Sequence, residues 1–101
     1  MWYFSDPITV SVTPSISQAS ANQSIDYTCT FNGVPPPIVK WYHLTYNNQK
    51  EEISSGITTA NQQSILHINN LNALSAGGYI CEVSNSFDNQ SSTASLGVIC
   101  K

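Results

Sequence analysis

The chain has 101 residues, enough for one domain that buries roughly two thirds of its unfolded surface in a single core, and no second domain fits. Charged residues make up only 9 % of it against a typical ~25 %, arginine is absent and the formal net charge is -3, so its polar surface is built from Ser, Thr, Asn and Gln. Three lysines cannot neutralise a row of phosphates or grip an anionic membrane, and no apolar run approaches the ~20 residues of a membrane helix, which excludes nucleic acid as a partner and direct membrane insertion by this fragment.

Residues 1–6 read as a linker or as cloning-derived residues, and residues 7–101 as a single domain. Met1-Trp2-Tyr3-Phe4 lacks the basic start and long apolar stretch of a signal peptide, so the chain reads as a piece of something larger. A contact role for Trp2-Tyr3-Phe4 is the second option. Ile8, Val10 and Val12 alternate along an expected edge strand closed by Pro14, and Ile25, Tyr27, Cys29 and Phe31 then share one parity, which turns Cys29 toward the core. Gly33-Val34-Pro35-Pro36-Pro37 reads as a loop, because proline has no ladder donor.

Val39 and Trp41 point inward on the next strand, and Lys40, Tyr42, Leu44 and Tyr46 lie on its outer parity before a turn at Asn47-Asn48. An added strand around Lys50-Glu51-Glu52-Ile53 is one option. Leu66 and Ile68 mark another core-facing strand, Leu71 continues the apolar series, and Gly77-Gly78 permits a tight corner into Tyr79, Cys81 and Val83. After a polar turn at residues 85–90, Ala94, Leu96 and Val98 alternate inward on a last strand. Short alternating segments with no helical period are the pattern of an all-β sandwich.

Three cysteines in a small domain suggest an oxidising compartment, and Asn22-Gln23-Ser24 and Asn89-Gln90-Ser91 agree with one, since both satisfy the N-glycan acceptor pattern in polar stretches. Two cysteines, Cys29 and Cys81, flank Trp41, and Ser75-Ala76-Gly77-Gly78-Tyr79-Ile80-Cys81 places a tyrosine two residues before the second. This combination resembles the immunoglobulin-like family over most of the chain, from Pro7 to Ile99. The resemblance implies a two-sheet Greek-key β-sandwich with a Cys29–Cys81 disulfide packed on Trp41, and a phenol at Tyr79 that fixes a sheet corner.

The short separation of the two cysteines, and Asn85 four residues after Cys81, look like the intermediate set of the family, with a variable-like topology as the alternative. Two departures stand out. Asp88 occupies the place of a usual glycine, and the family's Arg–Asp pair is missing on both sides, with Ser75 in the aspartate's position. A surface ion pair is worth only ~0–1 kcal/mol, whereas a cystine closing a loop of this length contributes about 4 kcal/mol on the chain-entropy model.

Nucleophilic catalysis needs a free thiol or hydroxyl beside a base, and Cys81 is better explained as half of a buried cystine. His43 and His67 lie on different strands without ligand spacing, so they read as surface or core-edge histidines rather than a zinc pair, and Glu51-Glu52 reads as a solvated face. No enzyme activity, catalytic residue, metal or cofactor is expected. Tyr42, Leu44, Tyr46, Ile80 and Phe87 are the candidate binding face, against the plainer reading of single exposed apolar residues. Cys100 is left over as an inert thiol, a bridge to a neighbouring domain or an intermolecular link.

By resemblance the expected function is recognition or adhesion in the extracellular part of a cell-surface receptor, of the adhesion-molecule or receptor tyrosine kinase type. The partner is a protein ligand or a second copy, on a face expected from the composition to be uncharged, so that like charges would not confront each other across a two-fold axis. The competing class is a passive spacer in a tandem array.

Overall fold

Alternation at period two carries through into strands, and the computed structural model describes residues 6–45 and 47–99. In chain order they are β1 (Asp6–Thr13), β2 (Ile16–Ser20), β3 (Ile25–Val34), β4 (Ile38–Leu44), β5 (Lys50–Ile53), β6 (Ile57–Ala60), β7 (Gln63–Ile68), β8 (Gly77–Ser84) and β9 (Asn89–Ile99). A turn of 3-10 helix, Ala73–Ser75, precedes β8. Strands β1-β3-β7-β6 form a four-stranded sheet and β2-β9-β8-β4-β5 a five-stranded one, the two-layer Greek-key sandwich that the resemblance implied.

Two segments differ from the sequence reading, and a third takes up an option it left open. The chain leaves the first sheet at Pro14, where no backbone donor exists, and resumes as β2 parallel to β9 in the other sheet. Gly33 and Val34 belong to β3, not to a loop: Val34 pairs with Asp6, and only from Pro35 onward does the ladder lack donors. Residues 50–53 do form a strand, β5, at the edge beside β4. Next to it in sequence, β6 and β7 make a hairpin around Asn61 and Gln62, both at positive φ, as a two-residue type I′ turn requires.

The core lies between the sheets, where Tyr27, Cys29, Trp41, Leu66, Leu71, Cys81 and Val83 are buried and Ile68 is partly buried against them. Each such apolar side chain removed from water contributes about 1.5–3 kcal/mol. The Cys29 and Cys81 sulfurs are bonded across the sheets, with Cα atoms 6.4 Å apart, and Trp41 is the cross-strand partner of Cys81. Trp41 Nε1 donates to Ser64 Oγ at 2.8 Å, and Ser64, fully buried, shares a second hydrogen bond with Thr59 Oγ1 at 2.9 Å. A buried indole N–H is thereby satisfied.

One corner of the sandwich is gripped twice. Tyr79 Oη donates to the Ser75 carbonyl at 2.5 Å, and His43 Nε2 donates to the adjacent Ala76 carbonyl at 3.1 Å. The two rings stack almost parallel, 4.5 Å between centroids. Gly77 makes this approach possible: its φ of 131° suits glycine alone, and a Cβ there would run into the Leu44 carbonyl.

Candidate functional site

Strand register assembles the outward face of the five-stranded sheet in rows. One row runs Glu52, Tyr42, Ile80, Thr93 across β5, β4, β8 and β9, and the next runs Lys50, Leu44, Gly78, Ser95. On the other side of the Tyr42 row come Lys40, Glu82, Ser91 and then Ile38, Ser84, Asn89. Tyr42, Leu44 and Ile80 are half-buried neighbours on this face. Gly78 carries no side chain, which leaves a shallow recess beside Leu44 and Thr93.

The face is not free of charge, contrary to the expectation from composition. Lys40, Lys50, Glu52 and Glu82 all stand on it, so it holds two of the three lysines in the chain. Lys50 Nζ sits 4.3 Å above the centre of the Tyr42 ring and 3.7 Å from Glu82 Oε2. An ammonium over an exposed ring is worth roughly 0.5–1 kcal/mol, and the ion pair no more. Lys50 therefore lies across the aromatic surface as a displaceable cover.

Not every expected member joins this patch. Tyr46 lies outside the described residues. Phe87 is 56 % exposed, but it sits in the turn beyond Ser84, at the end of the sheet away from Leu44. That turn is organised by Asn85, whose Oδ1 accepts from the amides of Phe87 and Asp88, both at 2.9 Å, while its Nδ2 donates to the Pro35 carbonyl at 2.8 Å. Asp88 Oδ2 in turn accepts from the Ile8 amide at 3.2 Å and its Oδ1 from the Asn89 amide at 2.8 Å. The residue that departs from the family's glycine thus ties the turn to β1.

Away from the face, each histidine has a partner of its own. His67 pairs with Asp26 on the outer surface of the four-stranded sheet, both exposed. His43 lies opposite Glu51 on inward parity, at a cleft of about 300 Å³ that Glu52, Ile53, His67 and Tyr79 also line. Its Nε2 is engaged with the Ala76 carbonyl and its ring with Tyr79, which leaves it a structural part of the corner. Among the described residues no three His, Cys, Asp or Glu side chains are placed to hold a metal ion. Burial pushes the Tyr79 phenol up to about 12, helped by the neighbouring Tyr27, and Tyr27 itself is raised by burial.

Both sequon asparagines are exposed: Asn22 in the turn between β2 and β3, and Asn89 at the start of β9. Trp2-Tyr3-Phe4 and Cys100 lie outside the described residues. Sequence reasoning passed over Ser64, and over Lys50 and Glu82 as parts of the face. Ser64 carries no motif, while the place of Lys50 follows only from the turn at residues 45–49, where Thr45 and Gln49 pair through their backbones and set Lys50 opposite Leu44.

Residues 8–98 match the family model of the immunoglobulin I-set domain. Among curated proteins, the chain is 31 % identical over 67 residues to mouse (Mus musculus) hemicentin-2, and 32 % identical over 69 residues to the mouse basement membrane-specific heparan sulfate proteoglycan core protein. These alignments take in 66 % and 68 % of this chain but only 1 % and 2 % of the relatives. Among solved structures, titin domain M7 superposes with a TM-score of 0.80 at 17 % identity, covering 97 % of this chain and 99 % of that one. Titin M4 gives 0.79 at 21 % identity over 96 % of this chain and all of the other. At such identities the likeness is one of fold.

Proposed function

Because this chain belongs to the immunoglobulin I-set family, we propose that it is an extracellular protein-recognition or adhesion module of a cell-surface receptor, of the adhesion-molecule or receptor tyrosine kinase type, docking through the outward face of its five-stranded sheet with a second copy as the preferred partner. The observation that carries this reading is the cross-strand pair of Tyr42 and Ile80, with Leu44 beside it, half-exposed at the centre of a face whose charges balance. Aromatic residues flanked by polar rims supply most of the energy in protein interfaces.

The mixed charges support self-docking by a different route from the neutral face expected from composition. A two-fold axis meets each surface with itself, and a face carrying two lysines and two glutamates can set Lys50 of one copy against Glu82 of the other. Extracellular placement is supported by the cystine, by two exposed sequons and by relatives of which one is named for the basement membrane.

Sedimentation tests this reading. The unaltered domain, held in enough reductant to exclude a Cys100 bridge but still folded, should associate at high concentration, and Tyr42→Ser with Leu44→Ser should abolish that without altering the folded spectrum. A second reading, a passive spacer, is favoured by the small fraction of each curated relative that this domain matches, as expected for one unit in a long array. A monomer at every concentration removes the self-docking reading; if the face also fails to bind any protein ligand, the spacer remains.

A further inference from the structure

We propose that Asn89 carries an N-linked glycan, and that this glycan covers the Ile38–Lys40 end of the outward sheet face and so confines docking to the Tyr42–Leu44 end. The inference rests on the extracellular docking role proposed above. Its ground is register. Ala94 and Leu96 point inward, so Asn89, Ser91 and Thr93 on the other parity of β9 point outward. Asn89 pairs with Ser84, which pairs with Ile38, and Ser91 pairs with Glu82, which pairs with Lys40. The acceptor side chain therefore stands on the same face as the docking patch, four residues or about 13 Å along β9 from the Ile80 row and about 10 Å across two strand spacings from Ile38.

Nothing in the fold obstructs the modification. Asn89 is exposed, and the hydrogen bond it makes is a backbone one to Asp88, which leaves its carboxamide open among the described residues. In the transfer, Asn89 Nδ2 attacks the anomeric carbon of a polyprenyl-pyrophosphate-linked oligosaccharide. The N–C bond forms as the C–O bond to pyrophosphate breaks; the amide gives up one proton, and the lipid pyrophosphate leaves and takes it up. A glycan is bulky and hydrated, so protein cannot pack beneath it.

Asn22 supplies the contrast within the same molecule. It is equally exposed, but it lies in the turn after β2, whose last residue pairs with Ile99 at the far end of β9. A glycan there stands off the face, which makes the two sequons unequal in consequence.

The domain is secreted from a glycosylating eukaryotic cell as unaltered protein, Asn22→Gln, Asn89→Gln and Ser91→Ala, and each is mapped by glycopeptide mass and by the rate at which an acylating reagent labels Lys40. Asn89 should be occupied, and Lys40 should label severalfold faster in Asn89→Gln and in Ser91→Ala than in the unaltered protein or in Asn22→Gln. An unmodified Asn89 in the secreted protein, or equal Lys40 rates in all four, overturns the proposal. Labelling is run at a dilution at which the domain is monomeric, because Lys40 stands in the row beside Tyr42 and a docked copy would also shield it; association that is indifferent to Tyr42→Ser and Leu44→Ser would then remove the docking role while the glycan's cover is read separately.

Discussion

Tyr79 shows how one side chain serves fold and site together. Its ring stacks between Tyr27, at 5.5 Å, and His43, at 4.5 Å, and its hydroxyl closes the corner on Ser75, while its neighbour Ile80 faces outward into the candidate patch. Tyr79→Phe keeps the packing and loses the hydrogen bond, so it should destabilise by about 1 kcal/mol in chemical denaturation at neutral pH with the slope unchanged. The raised phenol also gives a pH signature. Folding favours the neutral form, so this contribution is complete below the ordinary value of 10.0 and is lost as pH rises from there through about 12. Thermal midpoints of the unaltered domain should fall across that window more steeply than those of the Phe variant. Parallel alkaline slopes would mean that Tyr79 is not the group being titrated.

At the scale of elements, β1 is held at both edges. One side pairs with β3, and on the other the Ile8 amide donates to Asp88 in the turn before β9 and the Val12 amide to Ser92 Oγ on β9 at 3.3 Å, so donors of an edge strand are occupied by side chains from the opposite sheet and its turn. Asp88→Ala removes two acceptors at the turn and should lower stability by about 1–2 kcal/mol, with hydrogen exchange accelerated at Ile8 but not at Val12. Uniform acceleration along β1 would instead indicate global loosening.

The strands that were legible in the sequence, β1, β3, β4, β7, β8 and β9, are those that turn apolar side chains toward the core at alternate positions. Strands β2 and β6 are held by backbone pairing and bury almost nothing of bulk, as Ile16-Ser17-Gln18-Ala19-Ser20 and Ile57-Thr58-Thr59-Ala60 make plain, so periodicity had little to register. The outward parity of Tyr42, Leu44 and Ile80 was equally legible. The cation lying over Tyr42 was not, because parity within a strand says nothing of the register that a turn imposes on the next one.

For the whole molecule, the distribution of charge matters more than its total. A chain with few charged residues places four of them, Lys40, Lys50, Glu52 and Glu82, around one half-exposed aromatic–aliphatic pair. The opposite outer surface carries Asp26 and His67 paired with one another instead. The two faces of the sandwich are therefore chemically distinct, one with the Tyr42–Ile80 pair and Leu44 inside a balanced polar rim and the other with Ile65 alone between Thr28 and Thr58, which is the asymmetry expected of a domain that docks by one sheet.

Backbone amide shifts followed by NMR as the folded domain is concentrated test that asymmetry most directly. Residues Tyr42, Leu44, Lys50, Ile80 and Glu82 should move together with concentration, while Asp26, Ile65 and His67 on the opposite face stay fixed. Shifts that are absent at all concentrations, or that gather on β3 and β7 instead, would contradict self-docking through the five-stranded sheet.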